Sequence, residues 1–199
     1  DYIGDEMDKY VFDYAMIQTK EGTMELLGAA CTKTLSQQFE KLAKMARLKL
    51  VGLVPSVLGL ERILEYAGER KDYAVLDLGT QALRIHFFRE GIYDITRTME
   101  PGCEEIEQIR SENREKMLEL GIEAEEEKRE ESDKEKLAAV LEEQYRLRAV
   151  QVLRVLNFYS FNNVNNTIDS LYYCGGGARY RELIDALKET LDLPVRSVA

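Results

Sequence analysis

The sequence predicts a mixed α/β protein of the α+β type, with a small α+β subdomain ahead of a larger lobe. Three observations predict it. Strand-like and helical runs alternate in the first 70 residues, three strand-like runs follow one another from residue 73, and a strand, a glycine loop and a helix come near the end. We therefore assign residues 1–70 to the small subdomain and residues 71–199 to the lobe, with a helical, charge-rich insertion at about residues 104–140.

Composition limits the function before any motif is considered. The 199 residues carry a net charge of −10, which argues against a nucleic-acid partner, because phosphate backbones attract basic surfaces. No apolar run approaches the roughly 20 residues that span a bilayer, so we expect no direct membrane insertion. The three cysteines are far apart, so we expect reduced thiols and a cytoplasmic protein. The sequence begins with Asp1, and we expect it to be a piece of a longer protein.

The first 70 residues predict two strands, a helix, a short strand and a second helix. Apolar side chains alternate along residues 10–16 as in a half-buried strand, and KEGT at residues 20–23 is a turn signal. Apolar residues at helical spacing follow Thr34 and Ser36, and either hydroxyl could cap that helix. The run LVGLV at residues 50–54 predicts a short strand, and Pro55 separates it from a helix at about residues 56–67.

The lobe opens with three strand-like runs, at residues 73–79, 82–90 and 92–100, which predict an antiparallel meander. His86, the single histidine, lies in the second run, and we expect it on a half-exposed face of the strand. One histidine cannot form a two-histidine metal site, and no nucleophile elbow accompanies it for a Ser-His-Asp triad.

The turn after the first of these strands, DLGT at residues 77–80, has two interpretations. In a structural interpretation, Gly79 supplies a hairpin turn, and Asp77 and Thr80 satisfy its backbone. In a functional interpretation, a short polar turn between two strands leaves backbone N–H groups free to hold a phosphate. These residues alone do not decide between the two.

Helical patterns dominate the middle of the lobe. A charge-dense run at residues 123–136 is typical of a solvated helix or a mobile loop. Residues 137–161 predict a long amphipathic helix, because its apolar side chains recur on one face: Leu141, Tyr145, Val152, Leu156 and Tyr159.

Three glycines join a strand at residues 168–174 to a helix at residues 179–191. Gly175, Gly176 and Gly177 remove every Cβ from a place where the backbone must approach something closely, so we expect Gly176→Val to be strongly destabilising. The helix that follows favours a phosphate at its N-terminus. The alternative is a tight strand-to-helix corner, and the run matches neither a dinucleotide-binding fingerprint nor a P-loop.

The two loops, DLGTQ at residues 77–81 and GGGA at residues 175–178, resemble in order and content the phosphate and adenosine loops of the actin-like ATPase superfamily. The local sequence is most similar to the PilM family of type IV pilus assembly, in PGCEEI at residues 101–106 and in the stretch from residue 172 to residue 195. The resemblance implies an actin-like, ribonuclease H-like second lobe behind a small interaction subdomain, without the family's N-terminal lobe.

The resemblance also implies a nucleotide site for ATP and Mg²⁺. Asp77, Gly79, Thr80 and Gln81 would face the phosphates and magnesium, and the adenosine would be bordered by Gly175, Gly176 and Gly177. The run AEEEK at residues 124–128 resembles the helix that flanks the adenine. No catalytic base or dedicated metal ligand set is identified, so we expect at most a slow ATPase.

Family resemblance further implies a cytoplasmic scaffold, recruited to the inner face of the cell membrane by the tail of a PilN-like inner-membrane protein. Residues 10–16 and 35–53 would form one wall of the groove for that tail, and the oligomeric state stays open. The alternative is a degenerate actin-like interaction module that binds no nucleotide. A sugar or acyl kinase is a third hypothesis, but it would need a substrate acid and a first-lobe phosphate loop.

Two departures from the family pattern favour the degenerate module. Cys103 stands where relatives commonly carry a second glycine, and Glu107 stands in place of a threonine. A cysteine side chain and an added acid near a phosphate would both weaken nucleotide binding.

Overall fold

The computed structural model describes residues 4–20, 23–69, 71–119, 127–163 and 167–198. The chain divides into two compact units, Asp1–Gly59 and Leu60–Ala199. The division comes ahead of residue 70, and Leu64 of the second helix, which is 1% exposed, lies in the second unit. The assignment of residues 1–70 to one interaction subdomain stays a prediction.

The first unit contains a strand hairpin and a helix. After a 3-10 helix at Gly4–Lys9, strand β1 (Tyr10–Lys20) pairs antiparallel with β2 (Thr23–Thr32), as predicted. Residues 21 and 22 of the predicted turn lie outside the described residues. Helix α1 (Lys33–Met45) follows at once.

Three sequence predictions for this unit are wrong. Residues 11–16 are exposed on both faces of β1, so this strand is not half-buried. The cap of α1 is neither Thr34 nor Ser36 but Thr32, whose hydroxyl accepts a 3.2 Å hydrogen bond from the Leu35 N–H. Residues 50–54 form no strand, and Val51 is 91% exposed. A strand needs a partner for its backbone groups, and an apolar run alone supplies none.

The second unit is built on a five-stranded sheet. Helix α2 (Ser56–Tyr66) is followed by the meander β3 (Tyr73–Leu78), β4 (Leu83–Arg89) and β5 (Ile92–Met99). The remaining elements are α3 (Glu104–Glu119), α4 (Glu127–Asn162), β6 (Ser170–Cys174), a 3-10 helix at Gly176–Arg179, α5 (Arg181–Thr190) and β7 (Val195–Ser197). The strand order is β5-β4-β3-β6-β7, with β6 parallel to β3 and β7 parallel to β6.

Helices α4 and α5 cover one face of this sheet. Alternation along β3 and β4 sends Leu76, Ile85 and their neighbours into a core in which Phe87 stacks on Tyr159 with ring centroids 3.8 Å apart. The predicted apolar face of α4 is confirmed by its buried members: Leu141, Tyr145, Val152, Leu156 and Tyr159. One face of the sheet is therefore packed against these two helices.

On the opposite face, Tyr73 stacks on Phe88 at 4.6 Å, and both side chains are fully buried. His86 is 6% exposed, so the prediction of a half-exposed histidine is wrong. Its Nδ1 lies 2.7 Å from the Thr96 hydroxyl, its partner in the sheet register, and burial lowers its pKa. His86 is a core residue.

Parts of the predicted insertion lie outside the described residues. These include residues 120–126, and with them most of the adenine-flanking run at residues 124–128, while the backbone of residues 127 and 128 begins α4. Among the described residues, no helix is long and apolar enough to cross a membrane.

Candidate functional site

The sheet brings the two predicted loops to the same edge. Strands β3 and β6 are parallel neighbours, and Asp77 is paired in register with Cys174. The hairpin that follows β3 (residues 79–82) and the glycine loop that follows β6 (residues 175–178) therefore leave the sheet side by side. Ligands of open α/β sheets bind at such carboxyl ends of parallel strands.

Two of the three glycines are required by close approach. Gly175 has a φ of 90°, and an added Cβ would lie 2.8 Å from the Leu78 nitrogen. At Gly177, which is buried, a Cβ would lie 2.5 Å from the Cys103 sulfur. Gly176 lacks this requirement, because a Cβ there would meet no described atom within 4 Å and its φ is not positive, so the close approach on which the Gly176→Val prediction was based is not observed.

The hairpin is held by its carbonyl groups. The backbone N–H groups of Gly102, Cys103 and Glu104 donate to the carbonyls of residues 81, 79 and 80, at 2.7, 2.9 and 2.9 Å. The N–H group of the first residue of α3 and those of the two residues ahead of it are thus used inside the protein. No hydrogen bond within the described part of the chain is donated by the N–H groups of Thr80 and Gln81.

Peptide geometry fixes where those two N–H groups point. The peptide groups 79–80 and 80–81 are trans, so each N–H is directed opposite to the carbonyl that α3 holds. Both N–H groups therefore point away from α3, and Thr80 and Gln81 are exposed. Adjacent free N–H groups of this kind form an anion-binding concavity, so the geometry favours the functional interpretation of this turn.

Asp77 is the acid of the site. Its carboxylate is partly exposed and lies 3.9 Å from the Arg84 guanidinium. Burial, and secondarily the charge of Asp77, raises the pKa of the Cys174 thiol to about 11, which keeps it protonated at neutral pH. Among the described residues, no group of three or more acidic, cysteine or histidine side chains could hold a metal ion. One carboxylate beside a phosphate site still fits magnesium, which commonly takes few protein ligands and completes its shell with water and phosphate oxygens.

The two departures from the family pattern are both accommodated. Cys103 is 4% exposed and packs into the core, where burial raises the pKa of its thiol. Glu107 accepts hydrogen bonds from the Tyr180 hydroxyl and the Arg179 guanidinium, which lower the pKa of its carboxyl. The Cys103 thiol is therefore buried beside Gly177, and the Glu107 carboxylate is paired.

Several residues at this edge were missed by the sequence interpretation. Arg110 and Arg179 lie over the Tyr180 ring at 4.9 and 5.0 Å, which ties α3 to the glycine loop. Arg148 is buried, and its Nε donates a hydrogen bond to the carbonyl of residue 102. Its signal was available in the sequence, because it occupies the apolar face of α4 between Tyr145 and Val152, where a charge requires a partner.

Comparison with known proteins agrees with this arrangement. The solved PilM–PilN type IV pilus biogenesis complex matches with a TM-score of 0.72 at 16% identity, over 98% of this chain and 58% of that chain. The ethanolamine utilization protein EutJ from Carboxydothermus hydrogenoformans matches with a TM-score of 0.58 at 19% identity. The match covers 84% of this chain and 57% of that chain. At such identities the likeness shows the fold alone, and it confirms the predicted actin-like fold.

The chain spans less than two thirds of the length of each of these solved chains. No curated protein matches its sequence significantly. The family model of type IV pilus assembly protein PilM matches residues 1–199, so the chain belongs to the PilM family.

Proposed function

We propose that this chain is the nucleotide-binding and partner-binding part of a cytoplasmic scaffold for type IV pilus assembly, recruited to the inner face of the cell membrane. The observation that carries the nucleotide part is the pair of loops at the ends of β3 and β6. One of them offers N–H groups that donate to no described residue, and the other excludes side chains at Gly175 and Gly177.

In the proposed site, the N–H groups of Thr80 and Gln81 bind phosphate oxygens of ATP. Asp77 faces the magnesium ion that accompanies them, directly or through water. Gly79 allows the turn, and the adenosine is bordered by Gly175, Gly176 and Gly177. Magnesium supplies neutralisation of the phosphate charge when bound. The protein binds and orients the nucleotide, with hydrolysis slow at most.

Partner binding is proposed for the first unit. No described side chain of this unit is buried, and large apolar groups are exposed on both the hairpin and α1. Tyr14 is 73% exposed and Leu42 is 61% exposed. Such a surface fits a short amphipathic peptide. The PilM–PilN complex supports a PilN-like cytoplasmic tail as the occupant.

The nucleotide proposal is tested by calorimetry with Mg-ATP, on this chain and on a longer form that contains both lobes. Thr80→Ala changes an exposed turn, so its free energy of unfolding should stay within about 0.5 kcal/mol of wild type. In the proposed site the Thr80 hydroxyl adds one neutral hydrogen bond to the phosphate, so affinity should fall by roughly fivefold, and unchanged affinity would count against this role of Thr80. Absence of binding in a folded two-lobed sample would favour the degenerate interaction module instead.

The partner proposal needs a separate test with a labelled tail peptide of the PilN-like protein. Phe39→Ser removes an apolar side chain of α1 that is 43% exposed, and Phe161→Ser is the matched control on α4, 82% exposed. We expect at least tenfold weaker binding for Phe39→Ser, as for a buried aromatic anchor, and no change for Phe161→Ser. Equal effects of the two substitutions would contradict the proposed surface.

A further inference from the structure

A buried arginine contacts the backbone segment that holds the hairpin. Arg148 on α4 is 3% exposed, and arginine is almost never buried unless it is paired. Its Nε donates to the Gly102 carbonyl at 3.2 Å, and its Nη2 donates to a Glu105 carboxylate oxygen at 2.5 Å. The guanidinium therefore fixes the backbone at the start of α3 through two directed contacts.

That backbone leads to the hairpin through a continuous series of hydrogen bonds. The Gly102 carbonyl, which accepts from Arg148, belongs to the same peptide group as the Cys103 N–H. The Cys103 N–H donates to the Gly79 carbonyl at 2.9 Å, and that carbonyl belongs to the same peptide group as the Thr80 N–H. Two peptide groups thus connect a buried cation to the N–H group assigned to the phosphate.

Hydrogen bonds in such a series polarise one another in the same direction. Each accepted bond draws electron density toward the carbonyl oxygen and makes the N–H of that peptide group a better donor. The guanidinium charge therefore increases the positive partial charge on the Thr80 hydrogen. The backbone of Gly102 lies directly against the hairpin, because a Cβ added there would lie 2.5 Å from the Gly79 oxygen.

We infer that Arg148 is a positioning residue for the phosphate-binding hairpin: it fixes the 102–103 peptide group and, through it, orients and polarises the Thr80 N–H. The ligand in this inference rests on the proposed nucleotide function. The series of hydrogen bonds from Arg148 to Gly79 does not depend on any ligand.

The first test uses backbone amide NMR of the unliganded chain. In Arg148→Gln, the amide proton resonances of Cys103 and Thr80 should both move upfield, because both donors become less polarised. Arg146→Gln is the matched control, since Arg146 lies on the same helix and pairs with Glu143 at the surface. It should leave both resonances in place. Unchanged Cys103 and Thr80 resonances in a folded Arg148→Gln protein would overturn the inference.

A second test separates positioning from a general structural role. Arg148→Gln should weaken Mg-ATP by about tenfold, as expected when a hydrogen bond to a charged group is lost, and leave adenosine, which lacks phosphates, at wild-type affinity. Arg148→Lys, which keeps the charge without the planar fork, should recover part of the loss. Equal weakening of ATP and adenosine would mean that Arg148 only supports the fold.

The outcomes distinguish this inference from the proposed function. If the wild-type chain binds no nucleotide while the two amide resonances move in Arg148→Gln, the proposed function fails. The inferred series of hydrogen bonds from Arg148 to Gly79 then stands. If Arg148→Gln does not fold, Glu105→Gln takes its place, because it retains the Arg148 contact with Gly102 and removes only the carboxylate. Because it leaves the guanidinium without its counter-charge, it should move the Cys103 resonance in the opposite direction, downfield, and an unmoved resonance would overturn the inference.

Discussion

The two units of the chain handle apolar surface in opposite ways. In the second unit, side chains from β3, β4, β6 and the covering helices form a core whose central members, such as Ile85 and Phe87, are fully buried. In the first unit, no described side chain is buried, although α1 carries Leu35, Phe39 and Leu42 at helical spacing.

This difference shows that an amphipathic pattern does not by itself produce a core. Helix stability in proteins comes mostly from packing of the apolar face, and in the first unit that face is left open. A unit of this kind gains stability when a partner covers its apolar surface, whereas the second unit buries its apolar side chains in its own core. The comparison leads to three predictions that would sharpen or break it.

The largest effect is expected from truncating a matched pair of phenylalanines. Phe87→Ala removes a fully buried ring that stacks on Tyr159, and it should cost about 3–5 kcal/mol of unfolding free energy. Phe39→Ala removes a ring that is 43% exposed, and it should cost less than about 1 kcal/mol. Chemical denaturation measures both. Comparable losses would mean that the first unit has a core after all.

An intermediate effect is expected at the glycine loop. Gly177→Ala places a methyl group 2.5 Å from the Cys103 sulfur and 2.9 Å from the Leu78 Cβ, and overpacking of this kind costs about 1–3 kcal/mol. Gly176→Ala adds the same methyl group where no atom lies within 4 Å, so its cost should stay within about 1 kcal/mol. Thermal or urea unfolding of the two variants decides the matter. The prediction fails if Gly176→Ala is the more damaging change.

The smallest effect is a gain. The Tyr73 hydroxyl is buried and has no hydrogen-bond partner among the described residues, so Tyr73→Phe should raise the free energy of unfolding by about 1 kcal/mol at neutral pH. Burial, with the charges of Glu61 and Glu69, raises the pKa of this phenol above its ordinary value.

The same substitution should change the response to alkaline pH. The folded state holds the Tyr73 proton more tightly than the unfolded state, so stability is complete below about pH 10 and declines as pH rises further. Unfolding free energies measured from pH 8 to pH 11 should decline less in Tyr73→Phe than in wild type. A steeper decline in the variant would contradict this assignment.

Much of the second unit was predictable because its elements carry their own signals. A nearly continuous apolar run marked β3, alternation marked β4, and Gly91 separated the runs that form β4 and β5. Residues 50–54 were wrongly predicted to form a strand, because a strand needs a neighbouring strand for its backbone hydrogen bonds. A local sequence pattern does not show whether such a neighbour exists. The burial of His86 was missed for a related reason: a flanking sequence does not reveal what covers a face of the sheet.

The two loops of the candidate site could be identified in the sequence, but their arrangement could not. The hairpin and the glycine loop were identified by composition, yet their adjacency depends on the parallel pairing of β3 with β6. The separate requirements of Gly175, Gly176 and Gly177 depend on neighbours that come from β3 and from Cys103. The sequence places Arg148 as a charge on the apolar face of α4, but it does not reveal the partner of that charge, because the contact with residue 102 crosses 46 positions of sequence.

The three hydrogen bonds that hold the carbonyls of residues 79–81 have a consequence for kinetics. Fixing a backbone residue costs about 1–2 kcal/mol of conformational entropy, and here that ordering is complete before any ligand arrives. A rigid hairpin should capture an anion at the rate of encounter and release it without rearranging. Hydrogen exchange at Cys103 and Glu104 should therefore be slow in the empty protein and almost unchanged by saturation with nucleotide.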